Sequence, residues 1–312
     1  MCQRGTRAVC VRAESESSEQ LNLTFFTKVL DGMLELYWGR TPSAVTATQH
    51  LQSLQPDTPL TYDHVAFRSF GVDGCGISAV EKFFLENGYT KRDVLRFEKK
   101  KLTAYWYAPP STEGKAMLPR VFVSELCVDE LSDTAQKIIT KYTSQAKHNV
   151  DHAAMSGVLG VPPWPTPSRE DYLQLAEESE YAAWTLVNGF ILNHTTISVH
   201  ALEGAVQGID AVNEEITGLE NVVLNGNGKL NISPDGLLLQ SSTTADNITV
   251  TFAGGETEEL PGAYIEFAER RVLPEFAGLP ISQIAEEHRR DGFEVGNADK
   301  IFESTNQGAA KL

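Results

Sequence analysis

Three short strings carry side chains that packing alone does not explain: "TYDHVAFRSF" (61–70), "LNHTT" (192–196) and "YIEF" (264–267). His64 and Arg68 stand four apart in a β-branched and aromatic run that reads as a strand. Alternate side chains of a strand share a face, so both point the same way, roughly 13 Å apart at about 3.3 Å per residue. A core strand has no need of a cation there. A site that grips a long anionic ligand by both ends does. The competing role for Arg68 is an internal salt bridge to Glu125 or Glu266.

Two imidazoles and one carboxylate leave three adjacent positions open on an octahedral metal, the arrangement of non-haem ferrous oxygenases. His64, His194 and Glu266 are the candidate set. They lie 130 and 72 residues apart, so no short motif joins them. A histidine in a β-rich core is otherwise a hydrogen-bonded one. All three sit in strands expected to be buried, however, where an unpartnered carboxylate is costly and one cation relieves three groups together. His200 shares parity with His194, but six residues of strand separate them by roughly 20 Å, too far for one ion. The mid-strand position favours His194. "HNVDH" sets His148 and His152 at i, i+4, the spacing of a helical metal pair, without the glutamate of HExxH. His50 and His288 fall in polar helical contexts. Glu125 in "FVSEL" sits where the later strand has Glu266, so the expected roles are a neighbour of the metal, a structural residue or a rival ligand. Gln240 and Ser242 share parity in "LLLQSST" and are candidate hydrogen-bonders to the ligands, or equally core or edge polar residues. No Gly-rich phosphate loop follows a strand, and no GxSxG elbow is present.

The elements that would carry these residues come twice. Residues 20–55 read helical. "HVAFRSFG", "ISAVEKFFLENGY", "VLRFEKKKLTAYWYAPP" and "PRVFVSELCV" then give β-α-β-β-β. After a stretch with the helices "LSDTAQKIITKYTSQA" and "SREDYLQLAEESEYAAWTLVNG" around a Pro-rich "GVPPWPTP", the same order returns. It runs through "FILNHTTISVHAL", "GIDAVNEEITGLENV", "GLLLQSSTTADNITVTFAGG" (two strands around a turn) and "GAYIEFAERRVL". The repeat is one of element order, not of residues. The tail "ISQIAEEHRRDGFEVGNADKIFEST" reads as a polar helix and then a loop. The chain has 312 residues, 41% hydrophobic and 22% charged, as expected of a soluble globular protein. Against 26 Lys and Arg stand 42 Asp and Glu, a net charge of −16, which argues against nucleic acid or an anionic membrane as the main partner. An acidic small molecule remains possible if a local cationic site receives it. The four cysteines form no CxxC. No run approaches the roughly 18 apolar residues of a membrane span. The start, with Arg4, Arg7 and Arg12 and no acid before Glu14, has the composition of an organellar transit peptide.

Taken together, "DHVAFRSF", "FVSEL", "LNHTT", "LLQSST", "YIEFAER" and "FEVGNADKIFEST" resemble the 2-oxoadipate dioxygenase/decarboxylase family over about residues 20–305. The resemblance implies an α+β chain of the vicinal oxygen chelate fold, whose two β-α-β-β-β modules form a central incomplete β-barrel with added helices. The expected division is a transit remnant at 1–19 and one catalytic domain at 20–312. Within it lie modules at about 60–128 and 189–273, a helical insert at 129–188 and a C-terminal helix and loop at 274–312. The resemblance also implies Fe(II) on His64, His194 and Glu266, a substrate carboxylate on Arg68, and backbone donors from Val295 and Gly296. Bacterial relatives carry a different residue at the Gly296 position. The implied reaction takes 2-oxoadipate and O2 to 2-hydroxyglutarate and CO2, in lysine catabolism, in the plastid stroma. The alternatives are a related ferrous dioxygenase acting on another 2-oxo acid such as 2-oxoglutarate, or a plastid scaffold that keeps the fold without catalysis.

Overall fold

The computed structural model describes residues 18–111, 118–146 and 151–306. The transit-like start up to residue 17 and His148 lie outside the described residues. Two helices come first, α1 (Ser18–Arg40) and α2 (Pro42–Leu54). Pro42 opens α2, where its missing N–H costs nothing. Module one follows as β1 (Tyr62–Phe70), α3 (Ile77–Glu86), β2 (Thr90–Phe97), β3 (Leu102–Ala108) and β4 (Arg120–Leu126). The insert holds α4 (Asp133–Thr143), α5 (His152–Leu159), α6 (Arg169–Glu178) and α7 (Glu180–Asn188). Ser132, Ser168 and Ser179 each accept a backbone N–H at the start of a helix, from Ala135, Asp171 and Ala182. The cap at Ser179 splits the expected single helix of 168–189 into α6 and α7.

Module two comprises β5 (Leu192–Ser198), α8 (Ile209–Thr217), β6 (Asn231–Ile232), β7 (Leu238–Ser242), β8 (Asn247–Thr251), β9 (Thr257–Pro261) and β10 (Tyr264–Arg270). One eight-stranded sheet runs through both modules in the order β2-β3-β4-β1-β5-β10-β7-β6. The two halves mirror one another across the antiparallel β1–β5 seam: β4 and β10 run parallel beside β1 and β5, and β3 and β7 come next. Module two departs from the expected pattern. Its "NITVT" strand, β8, leaves the large sheet and pairs with β9 as a separate hairpin. The outermost place goes to β6, only two residues long. β1 is buried along eight of its nine residues and β5 along all seven, so neither shows the alternation of a one-sided strand.

The tail also differs from its sequence reading. Residues 281–288 form two isolated 3-10 turns, and the helix comes later, as α9 (Val295–Ile301). The stretch between them is pulled straight by tertiary partners. Arg290 N–H donates to the Arg271 carbonyl, and Arg270 Nη1 donates to the carbonyls of Arg290 and Gly292. α9 then crosses the concave side of the sheet, against β2, β6 and β7. No described helix is long and apolar enough to cross a membrane.

Candidate metal centre

The centre lies at the β1–β5 seam, where each strand carries one extra residue. Opposite β5, the register of β1 jumps from Tyr62↔Ile197 to His64↔Thr196, which bulges Asp63. Further along it moves from Ala66↔His194 to Phe67↔Leu192, which bulges Asn193. A bulge re-aims a side chain. Here each bulged residue turns onto the histidine that follows it. Asp63 Oδ1 lies 2.8 Å from His64 Nδ1, and Asn193 Oδ1 lies 3.0 Å from His194 Nδ1. Both acceptors assign the proton to Nδ1 and turn the Nε2 lone pairs inward, that of His64 with Thr196 Oγ1 3.0 Å away.

Those lone pairs meet. His64 Nε2 and His194 Nε2 are 3.4 Å apart, and Glu266 Oε2 stands 3.6 Å from the first and 3.3 Å from the second. Cis ligands at about 2.1 Å from a cation are separated by about 3.0 Å at a right angle and about 3.4 Å at a tetrahedral one. The three buried groups are therefore able to hold one metal ion. The other oxygen of Glu266 accepts from Gln240 Nε2. Gln240 is fixed in turn by Asn297 Nδ2, which donates to its Oε1 at 3.0 Å. Burial disfavours a proton on His64, but the Glu266 and Asp63 carboxylates outweigh it and raise that imidazole's pKa. Burial, with His64 and Arg68 nearby, holds His194 well below the usual range. Asp63 is fully buried, yet Arg270, then His64 and Arg120, hold its carboxyl well below the ordinary value against the effect of burial. Arg270 grips it with two nitrogens, at 2.6 and 3.0 Å.

Arg68 is 2% exposed and makes no ion pair among the described residues, so neither Glu125 nor Glu266 claims it. Tyr181, Trp184 and Phe302 surround its guanidinium, with ring centroids 4.9, 4.9 and 5.7 Å away. Thr305 Oγ1 takes Nη2 at 3.0 Å, and Nε has no partner. The guanidinium is thus caged by ring faces and only partly satisfied, with its planar fork open to a further acceptor.

The other candidates fall elsewhere. Glu125 Oε2 accepts the Ile77 N–H and caps α3, away from the metal ligands. The register explains why: His64 faces Arg120 as His194 faces Tyr264, and two residues further on stand Phe122 and Glu266. Phe122, not Glu125, is therefore the counterpart of Glu266. Ser242 bonds to Ser304 rather than to a ligand. Val295 and Gly296 are exposed on the first turn of α9, outside the cavity that His64, His194 and Glu266 line. Phe293, Ala298, Ile301 and Phe302 of the same segment line it instead. His200 bonds to Glu286, His152 to the Gly74 carbonyl, His50 to Glu215, and His288 accepts from the Ala285 N–H. Sequence reasoning passed over Asp63 and Asn193, though the repeated Asx-His of "YDHV" and "LNHT" was there to be seen.

Comparison with known proteins places the chain in a family. Residues 31–280 match the family described as 2-oxoadipate dioxygenase/decarboxylase. A chloroplastic 2-oxoadipate dioxygenase/decarboxylase of Arabidopsis thaliana is 47% identical over 303 residues, 95% of this chain and 81% of the relative. The crystal structure of the hydroxyglutarate synthase of Oryza sativa in complex with 2-oxoadipate superposes with a TM-score of 0.90 at 46% identity, covering 98% of this chain and 100% of that one. A putative glyoxalase superfamily protein of Ralstonia eutropha shares the fold alone, with a TM-score of 0.67 at 19% identity over 83% and 86% of the two chains. The curled mixed sheet is thus that of the vicinal oxygen chelate proteins, and the chain belongs to the 2-oxoadipate dioxygenase/decarboxylase family.

Proposed function

We propose that this chain is a plastidial Fe(II) enzyme that converts 2-oxoadipate and O2 to 2-hydroxyglutarate and CO2. The observation that carries the reading is the convergence of His64, His194 and Glu266, with the caged Arg68 on the same strand as His64. The atoms balance without a second organic substrate: six carbons become five plus one, and both atoms of O2 enter the products. The neighbouring relatives named above act on, or bind, the same diacid.

His64, His194 and Glu266 would hold the iron, and a two-nitrogen, one-oxygen set suits it. Bound there, ferrous iron supplies open positions for a 2-oxo acid and reducing power for O2. The protein does the rest. Asp63 and Asn193 keep both imidazoles in the Nδ1–H form, so that each offers Nε2. Gln240 holds one oxygen of Glu266 and thereby aims the other. Arg68 binds the distal carboxylate of the diacid and sets how far along the strand the 2-oxo end lies. Phe122, Phe293 and Phe302 exclude water from the reacting end.

The test is anaerobic reconstitution with Fe(II), followed by oxygen uptake and product assay with a panel of 2-oxo acids. The expected result is equal molar O2 consumed, CO2 released and 2-hydroxyglutarate formed, with 2-oxoadipate preferred over 2-oxoglutarate. A preference for the shorter diacid would reassign the substrate. The absence of metal-dependent uptake with every 2-oxo acid tried would leave the non-catalytic scaffold.

A further inference from the structure

The cavity bordered by His64, His194 and Glu266 has a volume of about 20 Å³. That is room for about one water molecule, and a six-carbon diacid needs several times as much. Beyond Phe302 lies a second cavity of about 320 Å³, lined by Arg68, Lys99, Lys100, Lys101, Glu178 and Glu180. Phe302 borders both. Four cations face two carboxylates there, on a chain whose net charge is −16. Lys100 pairs with Asp299 at 3.1 Å and Lys101 with Glu178 at 3.7 Å, whereas Lys99 is in no ion pair among the described residues. Lys101 holds a left-handed backbone, φ 55°, at the turn between β2 and β3. A glycine would sit there without strain, so the position spends stability on a lysine.

We propose that this lysine-lined cavity is the entrance for a dianionic 2-oxo acid, and that the Phe302 ring is the partition it displaces on the way to the metal ligands. The inference rests on the substrate class proposed above. An acidic molecule repels a dianion at long range, and a cleft of one local sign reverses that at the mouth. Lys99 and Lys101 take the anion first, and Arg68 lies deeper, behind them. Thr305, which holds Arg68 Nη2 at 3.0 Å, belongs to the same 3-10 turn as Phe302. A carboxylate that takes Arg68 from Thr305 therefore loosens the turn that carries the partition. The neighbours of the Phe302 ring are Phe97 at 5.2 Å, Tyr181 at 6.3 Å, Phe122 at 6.4 Å and the Arg68 guanidinium at 5.7 Å, so its turning breaks no hydrogen bond of the ring and opens one face of the Arg68 cage to the anion.

The experiment compares the Fe(II) enzyme with Lys99→Gln, Lys101→Gly and Phe302→Leu, using 2-oxoadipate and the monoanion 2-oxohexanoate at increasing NaCl. Lys99→Gln should lower kcat/KM for 2-oxoadipate about three- to tenfold and flatten its salt dependence, with kcat and the monoanion little changed. Lys101→Gly should lose kcat/KM in the same way while melting at a higher temperature, which separates capture from misfolding. Phe302→Leu should speed both association and release of 2-oxoadipate in anaerobic stopped-flow mixing. Unchanged kcat/KM and salt profiles in both lysine variants overturn the entrance, and unchanged stopped-flow rates in Phe302→Leu overturn the partition. If the wild-type protein turns over no 2-oxo acid, the proposed function falls, and lysine acetylation footprinting with adipate decides the entrance by itself. Protection of Lys99 and Lys101 relative to the exposed Lys28 supports it, and equal reactivity overturns it.

Discussion

Asp63 and Asn193 hold the two imidazoles by the same geometry but with unlike charge. The carboxylate makes His64 the stronger donor, and the amide leaves His194 a neutral one. Asp63→Asn would give both modules an amide. It would also strand Arg270, whose Nε and Nη2 both end on Asp63 in a buried site. We expect metal affinity to fall about 10–100-fold and stability to fall by about 3 kcal/mol. Chelator competition with Co(II) and chemical unfolding of the metal-free protein measure the two separately. Unchanged Co(II) affinity would remove Asp63 from the centre. Arg68→Lys tests the other end of the diacid. A lysine keeps the charge but loses the planar fork that ring faces and a carboxylate both fit. The variant should weaken diacid binding by about 1.5–3 kcal/mol and monoacid binding far less. Equal losses for both would show that Arg68 does not touch the distal carboxylate.

At the scale of elements, the strands were legible and their register was not. Period-two parity is enough to put His64 with Arg68, and strand rise with the mid-strand position is enough to choose His194 over His200. It does not say which residue of β4 lies opposite which residue of β1, and so Glu125 was matched to Glu266 by string rather than by pairing. The two bulges at Asp63 and Asn193 are of the same kind: a single inserted residue leaves no trace in hydrophobic pattern. The two-residue β6 carries too few side chains to be read at all. The segment 281–292 was misread because its shape comes from distant partners. Arg120 bonds to Glu286 at 2.9 Å and to Asp291 at 2.8 Å, tying that segment to β4. Burial disfavours the Glu286 carboxylate, but His200 and Arg120 outweigh it and bring its pKa down to about 2. A carboxylate depressed in the folded state stabilises fully above its unfolded value, about 4.3. The contribution then fades as pH falls toward 2. Glu286→Gln should therefore lower the melting temperature at pH 6 to 7, by the equivalent of up to ~3 kcal/mol, and match the parent near pH 2. A difference that persists unchanged into strong acid would mean that Glu286 acts through packing rather than charge.

On the scale of the whole molecule, the proposed metal is a cross-link between the two modules. His64 comes from β1, and His194 and Glu266 come from β5 and β10, so an ion bound to all three spans the seam on which the sheet is mirrored. A second charged stitch there, Asp63 to Arg270, runs between the strands β1 and β10. A ligand that binds only the folded chain stabilises it by mass action, by about 2.7 kcal/mol at a hundredfold excess over Kd. For a chain of this size that is a rise in melting temperature of about 4 °C. Glu266→Gln is the informative control. Its amide carbonyl still accepts from Gln240, so the local hydrogen bond survives while the anionic ligand is lost. We expect the parent protein to lose its metal-dependent rise on chelation and regain it with Fe(II) or Co(II), and Glu266→Gln to melt alike with and without metal. Melting curves recorded with and without chelator check this without any turnover. Parent curves that coincide under both conditions would show that no ion joins the modules. A full metal-dependent rise in Glu266→Gln would show that the ion is held by other groups.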